Sequence, residues 1–232
     1  MEANAQDIIL YEPFSKSNSN DIPDGWVLID NDHDGYNWYL LSDMSSWLAG
    51  PDGMPGIITS ASSQGKALTP DNWLVTPLVA GATKVAFYAS AQDDRFPNEV
   101  LAIMASSSGT NVEDFVLVAE ETLKGSTTVC REVAPRKARG SWYYYEKDLP
   151  EGTRYVAFRH YKSKDLFRLN IDDVKIYGVI PAGIDDILSD ENNEAELSDN
   201  VIYTINGIRL RDNRLKNLPK GVYIKNGRKV IF

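Results

Sequence analysis

The sequence has few of the residues that nucleophilic and redox chemistry require. It contains one cysteine, Cys130, so no disulfide can form within the chain. We predict that Cys130 is a small buried apolar residue rather than a nucleophile. The two histidines are His33, in an acidic loop, and His160, in an apparent strand. A catalytic Ser–His or Cys–His pair is therefore poorly supported.

Long apolar runs and helical periodicity are also missing. No apolar run approaches the about 20 residues that cross a bilayer, so we expect no membrane insertion. Residues Met1–Gln6 carry neither the basic region nor the apolar stretch of a signal peptide, and we expect that leader to be absent from this sequence. No long segment shows an apolar stripe with a 3.6-residue repeat. These absences point away from a helical protein.

The charge is strongly acidic and unevenly distributed. The net charge is −9 and the isoelectric point is about 4.8, which argues against nucleic acid as a partner. From Val201 onward, however, eight basic residues stand against one acidic residue, Asp212. An acidic body followed by a basic tail indicates two units with different roles.

Short runs rich in β-branched and aromatic residues dominate the chain, and glycine and proline separate them. The predicted strands are 72–76, 84–90, 99–106, 115–119, 141–146, 155–161, 166–171 and 174–177. One short helix is possible around Asn111–Phe115. Many short strands at turn-punctuated intervals predict an all-β protein, a β-sandwich of the jelly-roll kind.

The pattern changes after Tyr177 and predicts three regions. Residues 1–180 form the β-sandwich, and residues 181–200, acidic and without a basic residue, form a solvated linker. Residues 201–232 form a small β-hairpin module. Its two hairpins are indicated by Asn206-Gly207 and Asn226-Gly227, each between apolar β runs.

The stretch DNDHDGYNW, residues 30–38, places three carboxylates at alternate positions: Asp30, Asp32 and Asp34. In a tight loop all three can converge on one point, and Gly35 permits the sharp turn. A hard cation that takes six to eight oxygen ligands would relieve their repulsion, and Ca²⁺ fits best. The alternative is a solvated acidic turn.

This loop matches only the first half of an EF-hand. The twelfth position from Asp30 is Leu41, where a bidentate Glu is expected, and Pro23 and Gly25 oppose an entering helix. We therefore predict a calcium loop of the kind used by extracellular β domains. Tyr36 is expected to contribute its backbone carbonyl.

A second acidic pair, Asp172-Asp173, lies between two predicted strands. Neighbouring side chains in a strand point to opposite faces, so one carboxylate would face the core unless the segment bends or holds a metal. A turn or a salt bridge is the alternative. Paired carboxylates also serve glycosidases as acid and base, but nothing in the sequence selects such a pair.

Two aromatic stretches are candidates for ligand binding. Trp47 lies in a Gly- and Pro-containing loop outside any predicted strand, and Trp142 opens the run Trp142–Tyr145, which places aromatics on both faces of a strand. Exposed aromatic platforms serve glycan or protein recognition. The alternative for both tryptophans is ordinary packing in the core or a loop.

Ordered motifs along about residues 9–177 resemble the cleaved adhesin domains, the modules attached to gingipain proteases and their relatives in Bacteroidetes. The matching stretches are IPxxW at 22–26, DxDxDGxNW at 30–38, PDNWLVTP at 70–77, LPxGTRYVAFRH at 149–160 and LNIDDV at 169–174. The resemblance implies a galactose-binding-like jelly roll with structural calcium and an adhesive, non-catalytic function.

The resemblance also carries over individual residues. It implies calcium ligands at Asp30, Asp32 and Asp34, and at least one ligand from Asp172 or Asp173 in a second site. The family's early acidic segment is Glu-x-Phe-Glu, which here is Glu12-Pro-Phe-Ser15, so the second Glu is missing. Thr69 is a further candidate for this second site.

The tail, Val201–Phe232, resembles the short C-terminal β segments of secreted Bacteroidetes proteins, some of which are sorting signals; a packed structural hairpin is the alternative.

We expect an extracellular or outer-surface adhesion module that binds a protein or a glycan and is not an enzyme. One alternative is a carbohydrate-binding accessory module that uses Trp47 or Trp142–Tyr145. The other is a hydrolase.

Overall fold

The computed structural model describes residues 7–14, 22–41, 50–51, 56–125, 142–178, 202–204, 222–225 and 228–231. The chain divides into two compact units, Met1–Val179 and Ile180–Phe232. Among the predicted features, Trp47, Cys130 and the acidic segment 181–200 lie outside the described residues.

Two antiparallel sheets build the first unit. The six strands of one sheet are β1 (Asp7–Glu12), β3 (Tyr39–Leu41), β4 (Ile57–Ala61), β6 (Ala82–Ala91), β9 (Tyr143–Thr153) and β11 (Arg168–Gly178). Their order is β3-β4-β11-β6-β9, and β1 also pairs with β11. The second sheet contains β2 (Val27–Asp30), β5 (Asn72–Val75), β7 (Val100–Ser106), β8 (Val116–Thr122) and β10 (Tyr155–His160). Its order is β2-β5-β10-β7-β8.

The core lies between these sheets and follows the alternation of strand side chains. Val85 and Phe87 of β6 and Ile176 of β11 face inward and are fully buried. Phe87 meets Phe158 of β10 edge to face, with ring centroids 4.9 Å apart. An aromatic pair of this geometry contributes about 0.5–1.5 kcal/mol beyond its area. The predicted β-sandwich is confirmed.

The predicted strands are present, with two informative differences. The four strands before residue 72, β1 to β4, were not predicted. Every residue of β4 is buried, so it lacks the alternation that marks a half-buried strand. The segments 166–171 and 174–177 belong to one strand, β11, which is interrupted by an irregularity between Asp172 and Lys175. The possible helix is a single 3₁₀ turn, Val112–Asp114.

The second unit contains a three-stranded antiparallel sheet of β12 (Ile202–Thr204), β13 (Val222–Lys225) and β14 (Arg228–Ile231). Lys225 pairs with Arg228, so β13 and β14 form the hairpin predicted at Asn226-Gly227. The hairpin predicted at Asn206-Gly207 lies outside the described residues, and the likeness of the tail to sorting segments stays a prediction. Within the described part of the chain, no helix is both long and apolar enough to span a membrane.

Candidate metal-binding site

The acidic loop begins where β2 ends. Asp30 is the last residue of β2 and pairs with Asn72 of β5. The chain then reverses through His33 and Gly35, whose φ angles of 56° and 82° lie in the left-handed region. Glycine enters this region without the steric cost of a Cβ, so Gly35 serves the sharp turn that the sequence predicted. Trp38, 2% exposed, anchors the far end of the loop in the core.

The three carboxylates converge. One carboxylate oxygen from each of Asp30, Asp32 and Asp34 lies within 4.8 Å of the others. Two oxygens on opposite sides of one Ca²⁺ are about 5 Å apart, so this spacing fits a shared ion. Backbone N–H groups hold the outer acids: Gly35 donates to Asp30 Oδ2 at 3.0 Å, and Tyr36 donates to Asp34 Oδ1 at 2.8 Å.

The loop contains buried carboxylate oxygens that no hydrogen-bond donor satisfies. Within the described chain, Oδ1 of Asp30 and Oδ1 of Asp32 are buried and have no hydrogen-bond partner. Burial raises the pKa of Asp32, and the carboxyl groups of Asp30 and Asp34 raise it further. Burial also opposes ionisation of Asp30, but the N–H of Gly35 and the carboxyl of Asp32 outweigh it and lower the pKa of Asp30. Three hard oxygen donors with orphaned atoms form a set that suits calcium.

Tyr36 lies in the loop as predicted. Its ring lies under the Lys66 ammonium, with Nζ 5.0 Å from the ring centroid. That its carbonyl is a ligand stays a prediction.

A neighbouring cluster around Asp71, which no sequence pattern predicted, holds the loop to the second sheet. The Asn31 side chain donates to Asp71 Oδ2 at 2.7 Å, and Trp73 Nε1 donates to Oδ1 at 2.9 Å. The Arg159 guanidinium forms a bidentate ion pair with Asp71: Nε lies 2.5 Å from Oδ1, and a terminal nitrogen lies 2.7 Å from Oδ2. Burial opposes the charge of Asp71, but the bonds from Arg159 and Asn31 lower its pKa overall. Asp71 is thus held ionised as an acceptor beside the loop.

The pair Asp172-Asp173 is accommodated by a bend, one of the options that the sequence left open. Asp173 has φ 55°, and its N–H donates to Asp172 Oδ1 at 2.8 Å. Asp172 is 4% exposed, while Asp173 forms an ion pair with Lys175 at 3.0 Å. Glu12 lies nearby, since it pairs with Val174. Lys175 already supplies positive charge here, so a metal would have to compete with it.

The strand register separates the chain before Thr69 from this pair along β4. β4 pairs Ile58 with Ile171 and Ala61 with Arg168, so Asp172 lies at the start of β4. The chain before Thr69 returns to the other end of β4, where the N–H of Leu68 bonds to the carbonyl of Ser62. Four to five strand residues amount to roughly 15 Å. This register argues against a shared site, and the assignment of Thr69 to the second site stays a prediction.

For Trp142 the structure favours the packing alternative over an exposed platform. Trp142 is 2% exposed and packs with Ile57 and Tyr88 on the outer side of the six-stranded sheet. The side chain of this run that remains open is Tyr144, 53% exposed.

His160, which the sequence placed in a strand, is the centre of a buried polar cluster. Nδ1 of His160 lies 2.8 Å from Ser60 Oγ, and Nε2 lies 2.9 Å from Glu99 Oε2. Ser62 Oγ donates to Glu99 Oε1 at 2.8 Å, and Asn72 Nδ2 donates to Ser60 Oγ at 3.0 Å. The side chains of this cluster are buried: Asn72 is 1% exposed and the other four residues are 0% exposed. The set has the residue types of a Ser–His–acid triad, but it lies inside the sandwich, away from any substrate.

Comparison with known proteins identifies relatives across the first unit. The family model "Cleaved Adhesin Domain" matches residues 8–176. Lys-gingipain of Porphyromonas gingivalis is 38% identical over 182 residues, 75% of this chain and 10% of the relative. Hemagglutinin A of the same species is 38% identical over 182 residues, 75% of this chain and 8% of the relative. The chain thus spans about a tenth of the length of these curated relatives.

Solved structures agree with the sequence relatives. The K2 cleaved adhesin domain of Lys-gingipain superposes with a TM-score of 0.63 at 38% identity, covering 72% of this chain and 96% of that domain. The K1 domain of the protein from P. gingivalis W83 gives a TM-score of 0.59 at 33% identity, with coverage of 73% and 98%. The similarity therefore concerns the adhesin portion of much longer proteins.

Proposed function

The chain belongs to the cleaved adhesin domain family, and from this premise we propose that it is a secreted or cell-surface adhesion module. Its ligand would be an extracellular protein or glycan. Family membership over residues 8–176 is the observation that carries the proposal. The β-sandwich supplies a rigid scaffold, and its loops and sheet faces supply the binding surface.

We include in the proposal a structural Ca²⁺ held by Asp30, Asp32 and Asp34, with the carbonyl of Tyr36 as a further ligand. The support is the convergence of the three carboxylates and their two orphaned oxygens. Bound calcium would supply the positive charge that removes their repulsion. The loop would then hold one conformation between β2 and β3. Asp172 and Asp173 are weaker candidates because Lys175 neutralises Asp173.

A non-catalytic role is favoured by the position of the histidine. Ser60, His160 and Glu99 have the residue types of a catalytic triad, but all three are fully buried between the sheets. Ser60 Oγ also accepts a hydrogen bond from Asn72, and Glu99 accepts a hydrogen bond from Ser62. A nucleophile must reach its substrate, so this cluster serves packing and polar satisfaction instead.

The test is binding of the whole chain to immobilised extracellular-matrix proteins and to a glycan array, in Ca²⁺ and in EDTA. We expect binding to at least one partner, weaker in EDTA. Asp32→Asn should reproduce the EDTA result in the presence of Ca²⁺. The control Asp24→Asn alters an exposed acid outside the loop and should bind normally. Absence of binding to every partner would contradict the adhesion proposal, and equal binding in EDTA would contradict the role of calcium.

A further inference from the structure

The outer face of the six-stranded sheet carries four tyrosines on neighbouring strands. This tyrosine face consists of Tyr144 on β9, Tyr88 on β6, Tyr177 on β11 and Tyr11 on β1. The strand register places them on one side: Tyr88 pairs with Tyr144. Lys175, the outward neighbour of Tyr177 on β11, pairs with Tyr11. The residues that alternate with them, such as Val85 and Ile176, fill the core.

The tyrosine face is open at both ends and ordered within. Tyr11 is 52% exposed and Tyr144 is 53% exposed. The rings of Tyr88 and Tyr144 lie 5.3 Å apart at 62°. The Lys175 ammonium lies 5.0 Å from the centre of the Tyr11 ring. These contacts fix the ring orientations before any ligand binds, which lowers the entropy that binding costs.

Charged groups lie between the rings, and they are already paired. Lys84 bonds Glu146 at 2.8 Å, and Lys175 bonds Asp173 at 3.0 Å. Tyr144 donates its hydroxyl hydrogen to Glu146 Oε2 at 2.9 Å. Asp148, opposite Lys84 on β9, adds a further negative charge, so the face carries no excess of positive charge. It offers many donors and acceptors but no net positive charge to attract a polyanion.

We propose that the tyrosine face binds a neutral oligosaccharide chain. This proposal rests on the adhesion function proposed above and specifies the chemical class of the ligand. Aromatic faces pack against the C–H faces of sugar rings, while the Lys84–Glu146 and Lys175–Asp173 pairs hydrogen-bond to hydroxyl groups. Four strands about 4.8 Å apart give a platform about 14 Å wide, long enough for several sugar units. The interspersed ion pairs disfavour a protein partner, because charged residues are depleted in the centre of protein interfaces.

The experiment is native gel electrophoresis of the whole chain through gels that contain a neutral polysaccharide: galactan, mannan or mixed-linkage glucan. A gel with heparin tests a charged glycan. We expect retardation in at least one neutral gel. Tyr144→Ala and Tyr11→Ala should each weaken binding about tenfold, measured by calorimetry with an oligosaccharide of that polymer. Leu117→Ala, at an exposed position of the five-stranded sheet, is the control and should bind normally.

Thermal melts show whether each variant is folded; because both tyrosines are exposed, we expect folded proteins. No retardation in any neutral gel, retardation only with heparin, or full binding by both tyrosine variants would each overturn the proposal. Capture by an immobilised matrix protein without retardation would overturn only the tyrosine face and leave the adhesion function standing. Loss of both kinds of binding would overturn both.

Discussion

Replacement of Glu99 by Ala should be among the most damaging single changes in the first unit. Glu99 is fully buried and accepts hydrogen bonds from Ser62 Oγ, the N–H of Phe167 and Nε2 of His160, at 2.8, 3.0 and 2.9 Å. An ionised carboxylate only accepts hydrogen bonds, so Nε2 of His160 carries a proton. The Ala variant leaves these three buried donors without a partner.

The magnitude follows from that loss. A buried donor left without an acceptor costs about 1–3 kcal/mol, so the loss of the acceptor for three donors should cost about 3–5 kcal/mol in total. Glu99→Gln keeps the shape and one carbonyl acceptor, so its cost should be smaller, about 1–2 kcal/mol. Urea unfolding at pH 7, followed by tryptophan fluorescence, measures both. A cost below about 1 kcal/mol for the Ala variant would refute the argument.

The same cluster makes a prediction about pH. Burial opposes ionisation of Glu99, but the hydrogen bonds and charge of His160 outweigh it, and the folded pKa lies below the usual value. A depressed acid stabilises the fold above its unfolded pKa of about 4.3, and this contribution is lost as the pH falls through the folded pKa. The free energy of unfolding should therefore fall more steeply in the wild type than in Glu99→Gln when the pH drops from 5 to 3. Equal slopes would show that Glu99 does not contribute.

Three further predictions concern the loop and its surroundings. Millimolar Ca²⁺ should raise the melting temperature by about 3–10 °C in the wild type and not in Asp32→Asn. Since the pKa of Asp32 is raised, protons should compete with calcium, and the calcium-induced shift in melting temperature should shrink as the pH falls from 7 to 4.5. A shift that does not depend on pH would contradict this. Arg159→Lys should cost about 1–3 kcal/mol in urea unfolding, because it breaks the two-pronged bond to Asp71; a neutral result would mean that Asp71 is held by its other donors. Trp142→Ala should cost about 3–5 kcal/mol, against less than about 0.5 kcal/mol for the exposed control Val116→Ala, and equal costs would contradict the burial of Trp142.

Sequence patterns predicted the features that depend on neighbours along the chain. The strand at 155–160, the 3₁₀ turn and the turn at Gly35 follow from local apolar runs and turn residues. The bend at Asp172-Asp173 was one of the options left open, because alternation requires a bend, a bound metal or a carboxylate that faces the core. β4 escaped prediction since both of its faces are buried and its five residues show no alternation.

Features that depend on contacts distant in sequence could not be predicted. His160 meets Ser60, 100 residues away, and Glu99, 61 residues away. The pairing of Arg159 with Asp71 spans 88 residues. Trp142 was ambiguous because both faces of its strand carry aromatics, and only the position of Ile57 decides which face is covered.

The acidic loop and the buried cluster are joined by Asn72. Its backbone carbonyl accepts a hydrogen bond from Trp38 Nε1 at 3.0 Å, at the far end of the loop. Its side chain donates to Ser60 Oγ, which contacts His160. The backbone of Asn72 also pairs with Asp30, at the near end of the loop. Both ends of the loop are thus fixed to one residue that also orders the cluster between the sheets. Calcium at the loop would therefore act on a frame that is already rigid, so its stabilisation should come from relief of charge repulsion rather than from ordering the core.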